Sequence, residues 1–360
     1  MTVTSDPDGS TTVPHLSKLD RLLPVWIGAA MLVGLGLGRI FPGLDDQLDR
    51  VKIDTVSLPI GIGLILMMYP VLAKVRYRAI GRVVEDRRVL ALSFVLNWVV
   101  GPAVMFTLAW LMLPDLAEYR TGLIIVGIAP CIAMVLIWND LAGGNRELVA
   151  VLVAINSIIQ ILAYSLLGYF YLELLPGWLG LESKGIDVTV WSIAKSVLIF
   201  LGIPLLAGFM SRAIGEKAKG TEWYETRFLP RIAPVALYGL LFTIVLLFAL
   251  QGDKITNQPF DVARIALPLL GYFGIMWFGT FLLGLRLRLP YDRNTSIAFT
   301  AAGNNFELAI AVAIGVFGVS SGQALAGVVG PLIEVPVLVS LVYVARWARG
   351  RYYTPTGARG

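Results

Sequence analysis

Long apolar runs alternate with short polar breaks along almost the whole chain. Each run is close to the roughly 20 helical residues that cross a hydrocarbon core of about 30 Å. Stretches such as LIIVGIAPCIAMVLIW do not alternate in polarity, so they do not resemble the strands of a β-barrel. The pattern predicts an all-α integral membrane protein with ten transmembrane helices, at 22–40, 56–72, 90–113, 120–139, 148–174, 190–211, 232–250, 262–285, 295–317 and 324–346.

Composition and charge support this prediction and orient the chain. Of the 360 residues 57% are hydrophobic and 15% are charged, and the mean hydropathy is +0.77, which excludes an ordinary soluble domain. Between the predicted spans, 21 lysines and arginines fall on the side of the termini and 6 on the other side. Basic loops stay in the cytoplasm, so we expect both termini inside, at the inner (plasma) membrane. The net charge of +5 then reflects topology and contact with membrane lipid, not nucleic-acid binding.

The chain reads as one membrane domain with two tails. Residues 1–20 lack the basic start and short apolar run of a secretory signal, so they are expected to form a disordered cytoplasmic tail. The transporter domain covers 21–348, and 349–360 form a second cytoplasmic tail. An even number of spans that divides five and five predicts two inverted repeats, at about 21–175 and 189–348. The segments CIAMVLIW and ELAIAVAI align at an offset of 176 residues and place the fourth and ninth spans in register.

The ninth span holds the first candidate site residue. Glu307 lies near the predicted bilayer midplane, where an ionised side chain is costly unless it is paired, hydrated or protonated. A neutral glutamic acid that hydrogen-bonds between helices is the structural alternative. Gly303 permits unusual backbone geometry, and the amides of Asn304 and Asn305 can satisfy freed backbone groups. The segment GNNFE therefore predicts a broken helix with a functional carboxyl.

The fourth span holds the second candidate. Pro130 removes a helical hydrogen bond and is expected to kink the span just before Cys131. Cys131 is the one cysteine and His15 the one histidine, which excludes an intramolecular disulfide and a zinc or copper cluster. Two interrupted helices at equivalent positions of two halves predict a binding site near the midplane.

The segments APCIAMVLIWNDLAGGN, NNFELAIAVAIGVFG and SGQALAGVVGPLIEVPVLV resemble those of the arsenite efflux permeases, within the superfamily of bile acid, arsenite and riboflavin transporters. The resemblance covers about residues 20–348. It implies efflux of arsenite, in some members antimonite, by exchange for protons, with functional roles for Cys131 and Glu307. A serine often precedes the asparagine pair in that family, and Gly303 stands in its place here.

This resemblance gives the candidate residues roles. One thiol, at Cys131, would bind trivalent arsenic reversibly, whereas three thiols would hold it too tightly for release. Glu307 would carry the coupling proton, and no other cofactor is expected. The alternative is a sodium-coupled carrier of organic anions of the bile acid symporter type, because related superfamily members use sodium. A channel is a further alternative.

Other polar residues within spans receive weaker predictions. Asn97, Asn156, Ser157 and Gln160 line the cavity or hydrogen-bond between helices. Glu334, between Pro331 and Pro336, is a candidate second ionisable site. Enzyme functions are not favoured: GVSSG, at 318–322, matches a nucleophile pattern but lies between two helices. The chain has no Gly-Lys pair, so it contains no phosphate-binding loop, and nothing in the sequence indicates an ATPase partner.

Overall fold

The computed structural model describes residues 22–41, 43, 44, 48, 51–53, 56–75, 87–181, 189–257 and 259–353. The predicted N-terminal tail, 1–20, with His15, lies outside the described residues. So do 354–360 of the predicted C-terminal tail and 182–188 of the boundary between the predicted halves.

Twelve helices are defined here within the described residues. They are α1 Leu23–Ile40, α2 Leu58–Ala73, α3 Arg87–Met112, α4 Ala117–Gly127, α5 Val135–Ala142, α6 Arg146–Trp178, α7 Val190–Lys219, α8 Leu229–Asn257, α9 Pro259–Arg286, α10 Tyr291–Ala302, α11 Phe306–Phe317 and α12 Gly322–Tyr352. The all-α prediction needs one correction, because β1 (Lys52–Ile53) pairs antiparallel with β2 (Val56–Ser57). This extended backbone leads into α2, which has a proline in its first turn, where the missing N–H has no helical partner to lose.

Among the described residues, six helices are long and apolar enough to cross a membrane. They are α3, α6, α7, α9, α12 and the helix that runs through α8; α1, α2 and α11 are shorter apolar helices. These helices make the chain a multi-pass membrane protein. A count of ten spans requires that α4 with α5, and α10 with α11, each form one span, and it stays a prediction.

Both predicted interruptions are present. The first break runs from Ile128 to Met134, between α4 and α5, so Pro130 lies in a non-helical segment and not in a kinked helix. The second break runs from Gly303 to Asn305, between α10 and α11. None of the four half-helices is longer than 12 residues, so none crosses the bilayer alone.

Prolines explain a second irregularity. Four π-helical turns, at Leu96–Val100, Phe170–Leu174, Leu198–Gly202 and Tyr224–Phe228, each end two residues before a proline. Proline donates no backbone hydrogen bond, and its ring would clash with the carbonyl four residues earlier. A π turn removes the clash by moving the hydrogen bond to the carbonyl five residues back. Four long helices therefore continue through Pro102, Pro176, Pro204 and Pro230.

The helices pack as two groups. In the first, here called the panel, α8 packs between α1 and α2, and α2 also packs on α7. Glycines permit close approach there: a Cβ on Gly38 would lie 2.3 Å from the Ala249 carbonyl oxygen, and one on Gly239 would lie 2.9 Å from the Met67 nitrogen. The second group, here called the crossing group, contains α3–α6 and α9–α12, with contacts from α4 and α11 to α12 and from α3 to α9.

Candidate substrate site at the helix crossing

The two breaks meet and pair with each other. Pro130 and Asn304 form an antiparallel bridge. The Cys131 amide donates to the Gly303 carbonyl at 3.0 Å, and the Asn305 amide donates to the Ala129 carbonyl at 2.7 Å. Backbone groups that lack helical partners inside a membrane must find others, and here each break supplies them for the other. The pairing places Cys131 beside the segment that leads into Glu307.

A side chain from α6 forms hydrogen bonds with both breaks. The Gln160 Nε2 donates to the Pro130 carbonyl, and its Oε1 accepts from Asn305 Nδ2 at 2.9 Å. The Oδ1 of Asn305 accepts from the Leu308 amide at 3.1 Å and so caps α11. Gln160 thus lies at the crossing, bonded to both breaks, instead of lining a cavity.

Asn304, in the second break, forms several hydrogen bonds with neighbouring helices. Its Nδ2 donates to the Val126 carbonyl at 3.1 Å and to the Tyr272 hydroxyl at 3.3 Å. Its backbone amide donates to Glu334 Oε1 at 3.4 Å. The Asn304 Oδ1 is buried and has no partner among the described residues. This oxygen is therefore an acceptor available to a ligand that carries a hydroxyl group.

A crevice of about 300 Å³ separates the panel from the crossing group. The panel contributes its apolar wall, with Met67, Met68, Val71, Ala233, Ala236, Leu237 and Leu240. The opposite wall contains Ala133, Met134, Leu136, Ile137 and Glu307. Lys74, Asp140 and Arg146 also line the crevice, and Arg146 pairs with Asp140 at 2.9 Å. Because Lys74 and Arg146 are exposed, this charged end is the mouth and Glu307 lies at the inner end.

The two principal candidates differ in access. Glu307, in the first turn of α11, lines the crevice and is partly exposed. Cys131 is buried, with 1% of its surface exposed, and does not line the crevice. Its sulfur nevertheless lies near enough to Glu307 and Glu334 for their charges to act on it. The structure thus brings the thiol and two carboxyls to one place, with Glu307 facing the crevice.

Comparisons with known proteins show the family to which the chain belongs. A sequence model of the Sodium Bile acid symporter family matches residues 61–258. The chain is 57% identical to the Arsenical-resistance protein Acr3 of Corynebacterium glutamicum, over 92% of this chain and 90% of that protein. The chain belongs to the arsenite efflux permease family. The permease is also 33% identical to the Acr3 of Alkaliphilus metalliredigens, over 98% and 99% of the two chains.

A further relative is a Synechocystis protein named as an uncharacterized transporter, 38% identical over 92% of this chain and 89% of that one. Together the relatives confirm the family resemblance read from the motifs and identify a transmembrane transporter of the arsenical-resistance type.

The GVSSG match lies in the connection from α11 to α12, where Ser321 accepts from the Ala324 amide and caps α12.

The remaining predicted residues divide between the crossing and other positions. Glu334, on α12, is buried at the crossing and accepts from the Asn304 amide. Asn156 accepts from Trp98 Nε1 at 3.1 Å, and Asn97 donates to Ser93 at 3.3 Å. The Ser157 hydroxyl donates to the Val153 carbonyl within α6. These last three side chains do not line the crevice of the permease, and the contacts just given join α3 to α6 or stay within one helix.

Sequence reasoning missed two tyrosines at the site. Tyr272, on α9, accepts from Asn304 Nδ2, and its hydroxyl lies 3.4 Å from the Ala301 carbonyl. Tyr164, on α6, donates to the Ile125 carbonyl at 2.7 Å. Each hydroxyl contacts a carbonyl in the half-helix that precedes a break, α10 for Tyr272 and α4 for Tyr164. The sequence signal was the position of each tyrosine inside an apolar span, because a buried tyrosine usually has a hydrogen-bond partner for its hydroxyl.

Proposed function

We propose that this permease exports arsenite from the cytoplasm, with antimonite as a second substrate, in exchange for protons. The observation that carries the proposal is the hydrogen bond between the Cys131 amide and the Gly303 carbonyl, which joins the break that holds the thiol to the break that leads to Glu307. Two relatives are named arsenical-resistance proteins, which supports the choice of substrate.

The donor set fits a small neutral solute that must be released again. At neutral pH arsenite is mostly the uncharged hydroxide, which can exchange one hydroxyl for a thiol. Cys131 supplies a single sulfur, and the unpartnered Asn304 Oδ1 supplies an acceptor for a remaining hydroxyl. Cys131 is buried, so the substrate enters from the crevice past Ala133 and Met134 through a movement of the first break.

Glu307 and Glu334 are suited to handle the coupling proton. Neither forms an ion pair with a described residue, and their charges act on each other. Two ionised carboxylates in an apolar interior repel each other, and a proton on either one removes the repulsion. Glu307 faces the crevice and exchanges that proton with water, while the Asn304 amide joins Glu334 to the second break.

Sodium-coupled transport of organic anions is the alternative, favoured by the match to the Sodium Bile acid symporter family. Two observations weigh against it. Sodium would be coordinated by backbone carbonyls of the non-helical breaks. The carbonyls of Ala129, Pro130 and Gly303 already accept hydrogen bonds from the protein. The crevice, at about 300 Å³, is at the low end of the range for drug-sized ligands, and its inner end carries a carboxyl, which repels anions.

The orientation of the transport cycle follows from charge. By the excess of lysine and arginine on one side, the crevice mouth with Lys74 and Arg146 faces the cytoplasm, and both termini lie there. We propose that the ten spans form two inverted repeats. In support, the first half-helices end at Gly127 and Ala302 and the second at Ala142 and Phe317, each pair 175 positions apart.

Arsenite uptake into everted membrane vesicles tests substrate and coupling together. The crevice side then faces the bath, and the vesicles are energised with an imposed pH gradient or, separately, with a sodium gradient. We expect accumulation against the arsenite gradient when the vesicle interior is acidic, and none from sodium alone. Accumulation that follows sodium and ignores pH would contradict proton exchange, and equilibration without accumulation would indicate a channel.

A further inference from the structure

The end of α9 contains an unusual backbone position. The Leu289 amide donates to the Gly284 carbonyl at 2.9 Å, and the Arg288 amide donates to the Leu285 carbonyl at 3.0 Å. These two bonds are those of a Schellman motif, whose left-handed position is usually glycine. Here the position is Arg288, with φ of 56°, and it is the one non-glycine residue with positive φ among those described.

An arginine at this position opposes local backbone preference. A side chain in the left-handed region costs free energy that glycine does not pay, because its Cβ crowds the following carbonyl. The sequence contains 37 glycines, four of which adopt positive φ in the described residues, yet it places an arginine here. Arg288 is exposed and forms no ion pair with a described residue, so its charge is available to a partner outside the chain.

Further arginines surround this turn. The end of α12 packs against the start of α10 and against α9: the Tyr353 ring lies 5.4 Å from that of Tyr291 and 6.3 Å from that of Phe281. Asn294 Nδ2 also donates to the Tyr353 hydroxyl at 2.8 Å. The segments that meet here carry Arg286, Arg288, Arg293, Arg346, Arg349 and Arg351, here called the arginine patch.

Four arginines of the patch, Arg286, Arg288, Arg346 and Arg351, form no ion pair with a described residue. Within 284–293 and 343–353 the one acidic side chain is Asp292, and it accepts from Asn145 Nδ2 at 2.8 Å. The four arginines are all exposed. Such a cluster attracts a negatively charged partner.

The neighbouring surface indicates which partner. Leu287, Tyr343, Trp347 and Tyr352 are all more than half exposed beside the arginines. Exposed tryptophan and tyrosine next to cations are typical of the level of lipid headgroups, and α9 and α12 both continue from here as membrane-spanning helices. We propose that the arginine patch is a binding site for the headgroup of an anionic phospholipid, with Arg288 held in the left-handed conformation to contact it.

A basic cytoplasmic surface also sets topology, and this general role does not depend on one backbone position. The lipid site does, so Arg288→Gly separates the two. The variant relieves the backbone and removes the charge, while Arg288→Asn removes the charge and keeps a side chain that tolerates positive φ. Lys217→Gln, an exposed basic residue near the end of α7, is the matched control for loss of one charge at the same membrane face.

The experiment uses the purified full-length permease in bilayer discs of phosphatidylcholine, titrated with phosphatidylglycerol. We expect Tm to rise with phosphatidylglycerol in the wild-type protein and in Lys217→Gln. In Arg288→Gly and Arg288→Asn, apparent affinity for phosphatidylglycerol should fall at least about fivefold more than in Lys217→Gln, because these variants also lose a charge-assisted hydrogen bond to the headgroup. In pure phosphatidylcholine, Tm of Arg288→Gly should equal or exceed that of the wild type.

Three results would overturn the proposal. One is an unchanged phosphatidylglycerol response in both Arg288 variants, and another is an equal loss in Lys217→Gln. The third is a Tm rise of the same size when soluble pyrophosphate is added to phosphatidylcholine discs, which would make the patch a site for free phosphate groups and not for lipid.

Discussion

The first and second breaks meet at one crossing but are built differently. The first, Ile128–Met134, has seven residues, and α5 after it has no side-chain cap. The second, Gly303–Asn305, has three residues, and Asn305 caps α11. In the first break the Pro130 carbonyl accepts from a side chain of α6, Gln160, whereas the second break contains two amide side chains of its own, Asn304 and Asn305. The helix that follows Cys131 thus begins without a side-chain cap, whereas the helix that contains Glu307 begins with one.

We propose that the thiol in the first break binds the substrate and that Glu307, after the second break, carries the proton. No side chain caps the start of α5, so its first backbone amides are available to an oxygen ligand. In the second break, the Asn305 side-chain oxygen is already engaged as the cap of α11, and Glu307 lines the crevice. If this proposal holds, substitutions that remove or crowd the thiol should impair arsenite binding, and those at Glu307 should impair coupling.

The largest expected effect concerns the thiol. Cys131→Ser keeps the size and the backbone pairing of the first break but removes the sulfur. We expect arsenite transport to fall at least about tenfold, the loss of about 1.4 kcal/mol of binding, with protein abundance near that of the wild type. Arsenite should also protect Cys131 of the wild type from a small maleimide. Transport at the wild-type rate by Cys131→Ser, or equal labelling with and without arsenite, would remove the thiol from the site.

The next effect concerns coupling in the second break. Glutamine keeps the shape and hydrogen bonding of a protonated glutamate but cannot release a proton. Glu307→Gln should therefore fold and still show arsenite protection of Cys131, yet lose accumulation driven by a pH gradient. Vesicle uptake and maleimide labelling measure the two properties separately. A variant that still accumulates arsenite under a pH gradient would show that Glu307 does not carry the proton.

Gln160 gives an intermediate test, because it bonds both breaks. Gln160→Leu leaves the Pro130 carbonyl and Asn305 Nδ2 without these partners, at about 1–3 kcal/mol for each buried group. Tyr164→Phe is the matched control on the same helix, since it removes one bond, to Ile125 of α4, and leaves both breaks paired. We expect both variants to lower Tm, and Gln160→Leu alone to impair arsenite protection and pH coupling together. Parallel losses in the two variants would mean that Gln160 is merely structural.

The sequence predicted both breaks because their cause is local. Pro130 cannot continue a helical ladder, and the Gly303–Asn305 segment favours non-helical backbone. The position of Gln160 could not be predicted, because a polar residue in an apolar span is compatible with a cavity wall and with an interhelical bond. Only the crossing of two breaks distant in sequence shows that its amide reaches both. The burial of Cys131 and the separate access to Glu307 are likewise tertiary.

The smallest expected effect concerns Gly303, whose carbonyl accepts from the Cys131 amide. A Cβ added there would lie 3.0 Å from the Cys131 Cβ and 3.7 Å from its sulfur, with no strain from φ, which is −77°. Gly303→Ala must therefore push the first break by a few tenths of an ångström. Because this displacement is small, we expect arsenite transport to fall only a few-fold, through weaker binding at an unchanged pH optimum. Concentration dependence of uptake measures the first and a pH series the second. A shifted pH optimum with unchanged arsenite affinity would contradict the separate roles of Cys131 and Glu307, because a change that crowds the thiol would then act through the proton.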